Sequence, residues 1–188
     1  MLAQYQANTQ IVEMKVVSNG IGGTRWSPPQ SGFIKVNFDG AVFGNLNMSG
    51  IGVVIRNNNG AIMASCVEKI NQAYKADEIK ALAALKALKF AHKLGSQNAI
   101  LKGGSLGLIQ PLKAEDHNLS PLGLLVEDVR LFANNFVRLL YSHIKRSGNS
   151  IAYNLAKHAI HIPDFQVWME DVLSYIVSFL QSDVADLP

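Results

Sequence analysis

Asp39, Glu78, Ser105, His143 and the basic residues Lys80, Lys86, Lys89, Lys93, Lys145 and Arg146 are the side chains with most to offer chemically. Carboxylates hold hard cations such as Mg²⁺, and lysines and arginines meet phosphates. Each residue also has a plain structural reading. Asp39 ends an alternating stretch and would serve as an exposed turn aspartate. A lone histidine such as His143 is more often structural than catalytic. Ser105 is placed to cap a helix. Lys86, Lys89 and Lys93 share one helix face, which is solvated unless phosphates meet it. Cys66 is the only cysteine, which excludes a disulfide framework and a Cys-rich zinc site. It suits a reducing, intracellular compartment, without separating nucleus from cytoplasm.

The elements that position these groups follow from periodicity. Residues 33–41 alternate, with Ile34, Val36 and Phe38 opposed to Lys35, Asn37 and Asp39, the pattern of a strand. Residues 50–56 and 61–67 read as two more strands. Asn59-Gly60 lies between them, a pair that accepts the positive φ angles of a tight hairpin turn. A long helix is expected over 77–94, a strand over 99–102, a short helix over 105–112, and a helix from Ser120 to about 133. A strand over 136–144 and a helix over 149–159 follow. Asp164 is expected to open a final amphipathic helix carrying Phe165, Trp168, Val172, Ile176 and Phe179 at helical spacing. At ~100° per residue, Lys80 falls mid-way round the apolar arc of the long helix, facing the sheet. Glu78 falls about 160° away, beside the lysines on the solvent face.

The chain has 188 residues, 48% hydrophobic and 16% charged, which fits one compact domain and excludes a disordered polyelectrolyte. Residues 1–162 carry all 17 Lys and Arg against 9 acids, a net +8, while the remainder carries five acids and no Lys or Arg. A basic body of this kind permits a polyanionic partner, nucleic acid being the usual one. The longest apolar stretch, 167–180, is interrupted by Glu170, Asp171 and two serines, so no membrane span is expected. Nor does the N-terminus show a basic region followed by an apolar one, so no secretory signal is expected. Residues 1–25 read as a leader or linker, 26–162 as the domain, and 163–188 as an acidic amphipathic helix packed on it.

Several motifs carry a resemblance. They are Trp26-Ser27-Pro28-Pro29, Lys35-Val36-Asn37-Phe38-Asp39-Gly40-Ala41, Gly50-Ile51-Gly52-Val53-Val54-Ile55-Arg56 and Ala87-Leu88-Lys89-Phe90-Ala91. Gly103, Ser105-Leu106, His143-Ile144-Lys145-Arg146, Gly148-Asn149-Ser150-Ile151-Ala152 and Leu155-Ala156-Lys157 follow in order. The chain resembles the ribonuclease H family, and more narrowly the plant ribonuclease H-like domains associated with non-LTR retroelement reverse transcriptases. The likeness spans roughly 26–188. It implies an α/β fold with a five-stranded mixed sheet flanked by helices, here with the extra C-terminal helix. It also implies an endonuclease that cuts the RNA strand of an RNA–DNA hybrid with two Mg²⁺ ions held by clustered carboxylates.

The family supplies those carboxylates from four positions. Asp39 stands at the first. Counting back from Leu94-Gly95 puts Lys80 at the second, whereas Glu78-Ile79-Lys80-Ala81-Leu82 resembles a family variant that would put Glu78 there; helical phase favours Lys80. Lys102-Gly103-Gly104-Ser105 stands where the family reads Glu-x-Asp-Ser, so Gly104 takes the third position. Tyr153 takes the fourth. Gly40, Ala41, Ser105, His143, Lys145, Arg146 and Asn149 occupy positions near nucleic acid in the family.

With Asp39 alone of four carboxylates, Mg²⁺ is not expected to bind tightly. The leading reading is a retroelement-derived, monomeric, catalytically impaired protein that retains binding to an RNA–DNA hybrid or other duplex. One alternative is an active hybrid ribonuclease using Asp39 and Glu78. Another is a protein-interaction module whose contact is the acidic, aromatic tail.

Overall fold

The structure, a computed structural model, describes residues 25–114 and 117–184. The expected leader, 1–25, therefore lies outside the described residues except for Arg25. Three strands open the fold: β1 (Ile34–Phe43), β2 (Met48–Arg56) and β3 (Ile62–Ile70), each antiparallel to the one before. They are followed by α1 (Ala76–Lys93), β4 (Asn98–Gly103), α2 (Leu106–Lys113), α3 (Pro121–Ala133), β5 (Arg138–His143) and α4 (Ser150–His158). The sheet then gains β6 (Phe165–Met169), and α5 (Val177–Val184) closes the described chain. Strand order is β5-β4-β1-β2-β3-β6, with β4 parallel to both β1 and β5 and β6 antiparallel to β3.

Helices cover the sheet on both faces. Val36 and Phe38 of β1 pack with Ile79, Ala84, Leu88 and Ala91 of α1, and α2 and α3 add Leu108, Leu112, Val126 and Val129 to the same core. On the other face Val54 and Val67 pack under Ile151, Ala152, Leu155, Val172 and Ile176. Alternation along the strands produces this division, since successive side chains point to opposite faces. The contact of α4 with β2 is backbone-close: a Cβ on Gly52 would lie 2.3 Å from the Ala152 carbonyl oxygen. The small residues at 52, 152 and 156 therefore set the spacing between helix and sheet.

Helix ends follow local chemistry. The Glu78 carboxylate accepts the Lys75 backbone N–H at 3.2 Å, and α1 stops before Gly95 at φ 78°. Ser120 caps α3 as expected, accepting from the Gly123 N–H at 3.1 Å. Ahead of β1, Trp26 is buried against two cations, with the Arg56 guanidinium 4.3 Å and the Lys35 ammonium 5.1 Å from its ring centre.

Two expectations need correction. The stretch from Asp164 does not begin a helix: Phe165–Met169 is a sixth strand, and helix returns only at Val177. Residues Ala64–Val67 of β3 are fully buried, so the polar backbone of that strand needs a partner on its outer edge, and β6 supplies it. Apolar spacing located Val172 and Ile176 correctly in the core, at 3% and 0% exposure, but did not report the conformation between them. The hairpin turn is also wider than an Asn-Gly pair requires. Only Gly60 takes positive φ, and the Asn57 side-chain oxygen instead gathers the N–H groups of Asn59 and Ala61.

Candidate nucleic-acid interface at the strand ends

The C-terminal ends of β1, β3, β4 and β5 lie at one edge of the sheet, because all four run the same way. The segments leading into α1, α2 and α4 therefore start at that edge, and the chemically able residues collect there. Asp39 is buried there, at 8% exposure. Its neighbour Gly40 lets α1 approach, since a Cβ there would fall 2.9 Å from the Ile79 carbonyl carbon. That approach brings Lys80, one residue on, into the field of Asp39.

Burial raises the Asp39 pKa above the usual carboxylate value. The Gly40 N–H, donating at 2.9 Å, opposes this, as do Lys80, Arg146 and a hydrogen bond from Asn149. Asn149, itself buried, ties the site to the strand: it accepts from the Asn37 amide at 2.9 Å and donates to the Phe38 carbonyl at 3.0 Å. Arg146 lies over the ring of Tyr153 on α4, 5.0 Å from its centre. Lys145 is exposed, Gly40 half-buried and Ala41 buried. His143 ends β5 opposite Gly103.

Gly104 follows β4, where an added Cβ would meet only the Ile144 carbonyl oxygen at 3.7 Å, so a side chain would fit. Gly103 differs, because a Cβ there would strike the Phe38 ring at 2.3 Å. Lys102 lies opposite Asn37, and desolvation lowers its pKa.

Ser105 does not cap α2 with its side chain. Its hydroxyl instead donates to Asp77 at 2.8 Å, across from the first turn of α1. Asp77 also lies 3.4 Å from where a Gly107 Cβ would stand, at the start of α2, where a helix favours negative charge. Sequence reasoning passed over Asp77; its signal was an acid in the first turn of α1, one turn before Lys80. Glu78 is drawn to the backbone of its own helix and does not figure among the groups acting on Asp39. The lysine face of α1 is partly engaged: Lys86 pairs with Glu68 at 2.7 Å and lies over Phe165. Thus Asp39, Lys80, Arg146, Asn149 and Tyr153 are gathered, Ser105 joins Asp77, and Glu78 stands apart.

A model of the reverse transcriptase-like family matches residues 37–159, about two thirds of the chain. The chain belongs to this family. Among solved structures, it is similar to ribonuclease H1 of the halophilic archaeon Halobacterium salinarum, with 26% identity and a TM-score of 0.64, covering 69% of this chain and 98% of that one. The N-terminal ribonuclease H domain of a Mycobacterium tuberculosis protein aligns at 22% identity and a TM-score of 0.62, covering 69% and 94%. LC11 ribonuclease H1, solved in complex with an RNA/DNA hybrid, aligns at 21% and 0.61, covering 68% and 96%. No curated protein matches in sequence. The fold of this reverse transcriptase-like chain is thus ribonuclease H-like, with six strands where five were expected.

The donor set can be tested against the two Mg²⁺ ions that the ribonuclease H resemblance implies. Among the described residues, no three His, Cys, Asp or Glu side chains come together as a metal site. The charged groups acting on Asp39 are an ammonium and a guanidinium rather than carboxylates. Such a set does not fit two divalent ions, which need several anionic oxygens. Among the described residues no helix is long and apolar enough to cross a membrane.

Proposed function

We propose that this reverse transcriptase-like domain binds nucleic acid, an RNA–DNA hybrid or another duplex, and has lost the metal-dependent cleavage that the ribonuclease H resemblance implies. The observation that carries this reading is the electrostatic surroundings of Asp39, where the charged groups acting on the carboxylate are Lys80 and Arg146 and no second acid. The basic balance of residues 1–162 supports a polyanionic ligand. So does the likeness to a ribonuclease H1 solved with a hybrid bound. Phosphate contacts draw on basic side chains and backbone amides, so they outlive a metal site.

Asp39 at the first family position, with Lys80, Gly104 and Tyr153 at the other three, belongs to this proposal, as does a monomeric state. Binding to a labelled hybrid over a range of salt tests it. Affinity should fall steeply as salt rises and show little sequence preference. Absence of binding at low salt, or affinity flat across the range, would favour a protein-interaction module. That module would have to use edge strand β6, where Phe165, Val167 and Met169 are exposed, rather than an amphipathic helix.

A further inference from the structure

Lys80 and Arg146 are the two cations whose charge reaches Asp39, and Asp39 neutralises neither by contact. Lys80 is half-buried in the second turn of α1, and among the described residues it makes no hydrogen bond or ion pair. A half-buried ammonium with no protein partner is a ready contact for an anion. Asp39 sits deep, takes the Gly40 N–H, and forms no ion pair with either cation. Arg146 is exposed and lies over the Tyr153 ring, 5.0 Å from its centre. A guanidinium held over a ring face makes no hydrogen bond to that ring, so its N–H donors remain to meet an anion. One deep carboxylate against two cations leaves the cluster net positive. The space beside Gly104 is open, with nothing nearer an added Cβ than 3.7 Å.

Resting on the nucleic-acid reading above, we infer that Lys80 and Arg146 together hold a backbone phosphate of the bound nucleic acid, serving as the fixed positive charge of the site in place of metal ions. In a metal-dependent nuclease the ions bridge a phosphate to protein carboxylates, because two anionic groups cannot meet directly. Here an ammonium and a guanidinium meet the phosphate without a bridge. Neither cation generates a metal-bound hydroxide, so the phosphate is anchored and not cut.

Fluorescence anisotropy with a short labelled RNA–DNA hybrid tests this, with circular dichroism melts showing that each variant is folded. Wild-type affinity should be undiminished by EDTA. Lys80→Gln and Arg146→Gln should each weaken binding about tenfold and flatten the slope of log affinity against log salt by about one. Lys80→Arg should retain both affinity and slope. A change of slope counts ionic contacts, which loss of a merely structural lysine would leave alone. Wild-type affinity and slope in Lys80→Gln would overturn the inference while leaving the nucleic-acid reading in place, and so would binding that EDTA abolishes. Failure of the wild-type protein to bind the hybrid at any salt would overturn both.

Discussion

Replacing Lys80 by glutamate and Gly104 by aspartate should create divalent-dependent cleavage of an RNA–DNA hybrid. Both changes are sterically mild. Lys80 is half-buried near the start of α1, where a negative charge suits the helix end, and the Gly104 position has 3.7 Å to its nearest neighbour. The electrostatic change is large. An ammonium about 5 Å from a divalent ion repels it by roughly 7 kcal/mol at an effective dielectric constant of 20. At 1.4 kcal/mol per tenfold, that is about five decades of affinity. Glutamate at the same place turns repulsion into attraction, and the aspartate introduced by Gly104→Asp would add a third carboxylate beside Asp39. Three acids with substrate phosphate suffice for Mg²⁺, which keeps several waters and takes few protein ligands.

The assay is gel-resolved cleavage of a labelled hybrid in Mg²⁺ or Mn²⁺, with EDTA as the blank. The double variant should cut, and adding Asp39→Asn should abolish cutting. Glu78→Gln should leave it unchanged, because that carboxylate is spent on the Lys75 N–H. The reasoning is refuted if Gly104→Asp alone cuts and Glu78→Gln then removes the activity. In that case Glu78, not Lys80, is the helix residue of the site.

Lys35 predicts a pH effect. Burial, with Lys102 and Arg56 nearby, lowers its pKa from 10.5 to about 7, so the unfolded chain holds the extra proton between those values and stability climbs as pH rises through that window. The full difference is worth ~5 kcal/mol, and the bond the ammonium donates to the Ser27 carbonyl, with the Trp26 ring beneath it, leaves about 2 kcal/mol. Lys35→Met should therefore melt about 4–8 °C above wild type at pH 6, with the gap closing by pH 10; an equal gap at both pH values would contradict this. Gly52→Ala should destabilise by about 2–3 kcal/mol or more in urea unfolding, because its methyl lands on the Ala152 carbonyl. Asn149→Ala strands the buried Asn37 amide and Phe38 carbonyl, and should cost about 2–4 kcal/mol in the same assay.

Most of the architecture was legible in the chain because its apolar periods are clean. The alternation of Ile34, Val36 and Phe38 and the alanine-rich arc of α1 name both the elements and the faces they bury. Helical phase also separated Lys80 from Glu78, since a pair 160° apart on an 18-residue helix cannot share a face. What stayed hidden depended on partners distant in sequence. Residues 165–169 contain enough apolar side chains to satisfy a helix or a strand, and the exposed backbone edge of β3 decides between them. Ser105 has the right type and place for a cap, yet Asp77, 28 residues earlier, takes its hydroxyl. The approach of Arg146 to the Tyr153 ring and the burial of Trp26 against Lys35 and Arg56 likewise arise only once the sheet is assembled.

Cleavage of an RNA–DNA hybrid by the unaltered protein tests the central claim most directly, with Asp39→Asn measured beside it in millimolar Mg²⁺ and Mn²⁺. The account predicts that the two proteins are indistinguishable from each other and from the EDTA blank. Divalent-dependent cleavage by the wild type that disappears in Asp39→Asn would contradict it, because a site whose single deep carboxylate faces Lys80 and Arg146 would then be assembling metal ions after all.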